Sequence, residues 1–185
     1  MRVLLTSCGL ETEAIANALI HMLPEAPALT RALFIPKAAC DPDASDVLPK
    51  CLNDLVKIGV PRNNITVHDL HDPIPGRLSD RFDMIYLCGG NTRYLLRRIN
   101  EGDFRRQLLD FITEDGVVLG VSAGSILFSS ALPENLGLLP CPLDVHCSDE
   151  TCERPGPLTL REGERIRLGN RQAICWADSG PVVME

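Results

Sequence analysis

No stretch of the sequence approaches the roughly 18 consecutive apolar residues that a membrane-crossing helix requires, which excludes a helical span. The run from Met1 to Ser7 reaches Gly9 and Glu11 too soon for the apolar segment of a signal peptide, so a cytoplasmic protein is expected. Positive charge is also short. Eighteen Lys and Arg against 25 Asp and Glu leave a net charge of -7, which repels phosphate backbones and anionic lipid surfaces. No nucleic-acid or membrane partner is expected, and a small substrate suits the chain better.

The eight cysteines include no CxxC pair of the kind that holds structural zinc. The nearest grouping, Cys141, His146, Cys147 and Cys152, lacks a second well-spaced pair. Cys8, Cys88 and Cys175 fall in or beside apolar strand-like runs and Cys51 on a helical apolar stripe, where a thiol acts as a small hydrophobe. Reduced thiols are therefore expected, with no metal and no cofactor. Internal repeats and long linkers are absent as well, so residues 1–185 are read as one domain.

What is present is an alternation. Apolar strand-like runs occupy residues 2–7, 32–35, 65–68, 84–88 and 117–121. Between them lie segments with helical spacing: Ile15, Ala18, Leu19, Met22 and Leu23; then, after the loop Asp41-Pro42-Asp43, Val47, Leu48, Cys51, Leu52 and Leu55; then residues 94–100, 104–113 and 123–130. Strands alternating with amphipathic helices require a mostly parallel sheet covered on both faces, so the expected fold class is α/β, a three-layer sandwich. Residues 133–157 show no period and read as loops. Short strands at 158–160, 165–168, 172–176 and 181–183, with turns at Glu162-Gly163, Gly169-Asn170 and Asp178-Ser179-Gly180, predict a C-terminal β-hairpin or edge extension.

Ligands of an open parallel sheet gather at the carboxyl ends of its strands, and two such ends stand out. In Gly120-Val121-Ser122-Ala123-Gly124 a strand passes at once into a helix through a serine flanked by glycines, the pattern of a nucleophile elbow. Such a turn thrusts the hydroxyl outward and sets it at a helix start, where free N–H groups favour developing negative charge. Ser125, one turn later, reads as a packing or capping residue. The second strand end is Gly89-Gly90-Asn91-Thr92. Its glycines let backbone amides approach a substrate, Gly90 and Ala123 are candidate oxyanion donors, and Asn91 and Thr92 are candidates for capping the next helix and for substrate binding.

A serine nucleophile needs a base, and histidine is scarce. His21, His68 and His71 read as structural or solvated, whereas His146 follows the elbow in a loop-rich segment that can fold back over the sheet edge.

At these residues the sequence resembles the peptidase E group of aspartyl dipeptidases and their relatives, whose fold is akin to class I glutamine amidotransferases. The resemblance is carried by Leu87-Cys88-Gly89-Gly90-Asn91-Thr92 with Tyr94-Leu95-Leu96, and by Gly120 to Ser125. It extends more weakly to the Leu136 to Pro140 run ahead of the histidine. It implies Ser122 as nucleophile, His146 as general base, the amides of Gly90 and Ala123 as oxyanion donors, no metal, and short peptides with an amino-terminal aspartate, or a related acidic amide, as substrate. Asp144, Asp149 and Glu134 are open candidates for a third triad member, and Arg93, Arg154 and Arg161 for pairing with a substrate aspartate. The alternative is a non-catalytic relative that binds a small acidic ligand or pairs with another subunit, a homodimer being one form. Amidotransfer is a third reading, weakened because the related glutaminases carry cysteine at the elbow.

Overall fold

The structure, a computed structural model, describes residues 1–36 and 48–185. Its frame is an eight-stranded sheet in the order β3-β2-β4-β5-β1-β9-β10-β7. Here β1 is Arg2–Thr6, β2 Ala32–Ile35, β3 Ile65–Val67, β4 Met84–Leu87 and β5 Val117–Val121; β7 is Gly156–Pro157, β9 Ala173–Ala177 and β10 Gly180–Met184. The first five are parallel to one another, β1 pairing with β5 in the register Leu4 to Leu119 and Thr6 to Val121. Beyond β1 the direction reverses, with β9, β10 and β7 antiparallel. This is the expected mostly parallel sheet with its C-terminal extension.

Alternation along the strands sorts the core into two layers. Leu4, Phe34, Met84, Tyr86, Leu119 and Val121 face one way and meet helices α1 (Glu13–Met22) and α2 (Leu48–Lys57) through Ile15, Leu19, Met22, Cys51 and Leu55. Val3, Leu5, Leu33, Ile85, Leu87 and Val118 face the other way. They meet α3 (Leu78–Arg81), α4 (Thr92–Asn100) and α5 (Phe104–Thr113) through Leu78, Leu95, Ile99, Leu108 and Phe111. Helix α1 starts where Thr12 accepts the Ile15 amide at 3.2 Å, and α4 where Asn91 accepts the Tyr94 amide at 3.0 Å. Val47, Cys40 and the Asp41-Pro42-Asp43 loop lie outside the described residues.

The fold departs from the sequence reading in four places, the first being the short helix α3, which the sequence reading lacks because its four residues carry a single buried apolar side chain, Leu78. Helix α6 covers only Ala123–Ile126, because the carbonyls of Leu127 and Phe128 are taken by amides of Leu136, Leu138 and Leu139 rather than by a continuing helix. The segment read as loops contains a strand, β6 (Leu143–Cys147), which pairs in parallel with β8 (Ile166–Gly169) as a separate two-stranded sheet. The strand read at residues 158–160 lies earlier, at Gly156–Pro157, and Leu158 adds one more amide bond, to Pro181, before the segment leaves the sheet. Every cysteine among the described residues is a free thiol.

Candidate active site

The carboxyl ends of β1, β4 and β5 meet at Ser122. Its backbone is at φ 50°, ψ -110°, a strained conformation that persists only where the surroundings enforce it. The Ser122 amide donates to the Thr6 carbonyl at 2.9 Å. Ser125, buried, donates its hydroxyl to the carbonyls of Thr6 and Gly120, both at 2.8 Å, which fastens the first turn of α6 across β1 and β5. It is the packing residue the sequence suggested. Gly124 lies so close to β4 that a Cβ there would stand 2.1 Å from the Leu87 carbonyl oxygen, so the elbow closes only around hydrogen at that position.

The small sheet brings the imidazole of His146 to Ser122. His146 sits where β6 bulges against β8, with φ at +59°, and its ring Nε2 is 2.9 Å from the Ser122 hydroxyl. Ser7, at the end of β1, accepts the His146 amide at 2.7 Å and so ties the small sheet to the large one. On the far side of the ring, Nδ1 is 2.7 Å from the amide oxygen of Asn170, which follows β8 in the turn to β9. That oxygen only accepts, so Nδ1 carries the hydrogen and Nε2 presents its lone pair to Ser122. The turn is itself clamped: the Gln172 amide donates to the Gly169 carbonyl, and the buried Gln172 side chain accepts the Gly169 amide, both at 3.0 Å.

None of the three acidic residues named from the sequence is hydrogen-bonded to His146. Asp144 pairs with Arg165 at 2.6 Å, Asp149 lies in the turn after β6 against Gly169, and Glu134 lies in a loop whose carbonyl accepts from Asn100 and Arg105. Asn170 takes the position they were considered for. Sequence reasoning missed it because an asparagine after a glycine between two strands is sufficiently explained as a turn former.

Gly89 abuts Ser122, since a Cβ on it would lie 3.8 Å from the Ser122 hydroxyl oxygen. Gly90 follows at φ +127°, and the amides of Ala123 and Gly124 stand in the first turn of α6, where they have no intrahelical acceptors. Asn91 caps α4, and neither it nor Thr92 lines the cavity at Ser122.

That cavity, about 330 Å³, is lined by Ser7, Cys8, Lys50, Cys51, Asp54, Gly89, Gly90, Val121, Ser122 and His146. The arginines proposed for substrate are elsewhere: Arg93 and Arg154 line two other cavities, and Arg161 pairs with Glu164. The cation at the site is Lys50, which is bonded to Glu11, the cause of its raised pKa. Burial pushes the Cys8 thiol above its ordinary value. Among the described residues no cluster of His, Cys, Asp and Glu is arranged to hold a metal, and no helix is long and apolar enough to cross a membrane.

The comparisons agree on where this architecture belongs. The model of peptidase family S51 matches residues 3–135. A crystal structure of a protein from Listeria monocytogenes EGD-e, assigned to peptidase E, superposes with a TM-score of 0.75 at 17% identity, covering 100% of this chain and 98% of that one. A peptidase from an acI-B1 Actinobacterium superposes at 0.65 with 15% identity, covering 94% of this chain and 82% of that one. At such identities the superpositions speak for the fold. No curated protein matches the chain.

Proposed function

The chain belongs to peptidase family S51, and from that premise we propose that it is a serine-type hydrolase acting on short peptides with an acidic amino-terminal residue, or on a related acidic amide. One observation carries the reading. A hydroxyl held in a strained strand-to-helix turn and an imidazole delivered by a separate sheet stand 2.9 Å apart, with the ring tautomer set for proton acceptance. Such convergence of a nucleophile, a base and an orienting group is the arrangement acyl transfer needs.

In this mechanism His146 Nε2 accepts the Ser122 proton as the oxygen attacks the amide carbonyl. The resulting oxyanion accepts N–H bonds from Gly90 and Ala123. Collapse of the tetrahedral adduct breaks the C–N bond, and the imidazolium returns its proton to the departing amine. Water then attacks the acyl-serine, giving its proton to Nε2; collapse of this second adduct breaks the ester C–O bond, the imidazolium returns the proton to the Ser122 oxygen, and the carboxylate product leaves. Lys50, the cation lining the cavity, is the candidate partner for an acidic substrate side chain once that group displaces Glu11.

The test is covalent labelling and turnover together. A fluorophosphonate is expected to modify Ser122, and aspartyl dipeptides are expected to be cleaved, with both signals lost in Ser122→Ala and turnover lost in His146→Ala. An unlabelled parent that shows only a ligand-dependent rise in melting temperature would instead be a binding protein.

A further inference from the structure

The cavity that ends on Ser122 holds a charge that packing does not require. Asp54 lies on the inner face of α2 beside Cys51 and Leu55 and is only 5% exposed. Burying a carboxylate is costly unless hydrogen bonds and an opposite charge compensate it. Its one hydrogen bond among the described residues is long, 3.5 Å from the Leu10 amide, and no ion pair involves it. Burial therefore dominates and raises its pKa, against the smaller opposing pull of that amide, Lys57 and Lys50. Lys50 is already engaged by Glu11, so those two offset each other and Asp54 remains the uncompensated charge of the lining.

The chain makes room for it. Gly9 approaches so closely that a Cβ would lie 2.8 Å from the Asp54 carboxylate, and with φ at +84° it occupies a conformation other residues rarely adopt. A partly solvated carboxylate in the wall of a small cavity, opposite a nucleophile, fits a cationic group on the ligand.

We propose that Asp54 anchors the α-ammonium group of the substrate's amino-terminal residue, which makes this cavity an exopeptidase subsite. The inference rests on Ser122 being the nucleophile. In a peptide the ammonium nitrogen is two bonds from the first carbonyl carbon, so its anchor has to share a cavity with the attacking hydroxyl, as Asp54 does. With Asp54 on the ammonium and Lys50 on an acidic side chain, the lining meets both charges of an amino-terminal acidic residue. Peptides blocked or lacking nitrogen at that end would leave Asp54 buried without a partner.

The test uses Ser122→Ala protein and calorimetry over pairs of ligands that differ only in that amine: Asp-Leu against succinyl-Leu, Glu-Leu against glutaryl-Leu, and Ala-Leu against propionyl-Leu. The amine member of at least the acidic pairs should bind about tenfold to a hundredfold more tightly, the range for a hydrogen-bonded charge. Adding Asp54→Asn should bring the members of each pair to within about threefold by weakening the amine form alone, with the affinity for the desamino ligand serving as the control for folding. Because ionised Asp54 opposes folding above its raised pKa, the Asn variant should melt no lower than its parent at pH 7. An amine preference that survives Asp54→Asn, or no pair showing one, overturns the anchor. Turnover of the same amine ligands by protein with Ser122 intact is read separately: amine-selective binding without cleavage defeats the hydrolase reading and with it the exopeptidase subsite, leaving Asp54 as the ammonium contact of a binding site, whereas cleavage without amine selectivity defeats the anchor alone.

Discussion

Replacing Asn170 tests the site at the residue that distinguishes it from a charged triad. Free imidazole populates both neutral tautomers, and only the form with hydrogen on Nδ1 offers Nε2 to Ser122. The 2.7 Å bond to the Asn170 oxygen selects that form. A hydrogen bond with a net value of about 0.5–1.5 kcal/mol biases the population by roughly 2- to 13-fold. The same bond orients the ring, and misplacement of a reacting group can cost on the order of a hundredfold. Asn170→Ala should therefore lower kcat by about tenfold to a few hundredfold with little change in KM, while His146→Ala should lose about 10²- to 10⁴-fold. Asn170→Asp adds a negative charge beside the imidazolium that forms during attack. Both side chains are exposed, so the aqueous limit of about 1 kcal/mol applies, equivalent to roughly fivefold in kcat. The assay is a pH profile of kcat and kcat/KM on an aspartyl dipeptide for parent, Ala and Asp forms. If Asn170→Ala stays within twofold of the parent across the profile, the amide does not orient the base and the reasoning fails.

Two further outcomes follow from the geometry. Gly124→Ala should cost about 3 kcal/mol in guanidinium unfolding and abolish labelling of Ser122, because its methyl would meet the Leu87 oxygen at 2.1 Å; Gly120→Ala, whose nearest contact is 2.7 Å, should cost less, and the reverse order would refute the packing argument. Asp83 accepts the Arg31 amide and both arms of its guanidinium, joining the starts of β2 and β4, and that pairing holds its pKa below the ordinary value. For a carboxylate with a depressed folded pKa, the stabilisation is complete above the unfolded value of 3.8 and is lost as pH falls through the folded one. Asp83→Asn should cost about 1 kcal/mol at pH 7 and progressively less below about pH 4, as read by urea midpoints.

The parallel core was legible because its buried strands β1, β2, β4 and β5 are apolar runs and the longer covering helices carry a stripe, patterns that tertiary context reinforces. The elbow was legible for a related reason: glycines on either side of a serine between strand and helix have a steric cause that any sequence must respect. His146 was found by position and scarcity, yet its strand was not. A bulged, half-exposed segment has no two-residue period to read, and its partner β8 lies 19 residues beyond it. Asn170, Lys50 and Asp54 left no signal, since an asparagine in a turn and charges on a helix are sufficiently explained by local rules. Only the closing of the chain brings a turn, a helix face and an elbow to one cavity. The helix read over 123–130 was too long because periodicity cannot register carbonyls that a distant loop has claimed.

His146 lies one residue before Cys147, which is in register with Gly169, and Asn170 is the residue after that. The imidazole and the amide bonded to it thus ride on one two-stranded ribbon, while the hydroxyl belongs to the large sheet. The gap between imidazole and hydroxyl is therefore set by how that ribbon seats on the large sheet, and the Ser7 bond to the His146 amide is one of the ties that seat it.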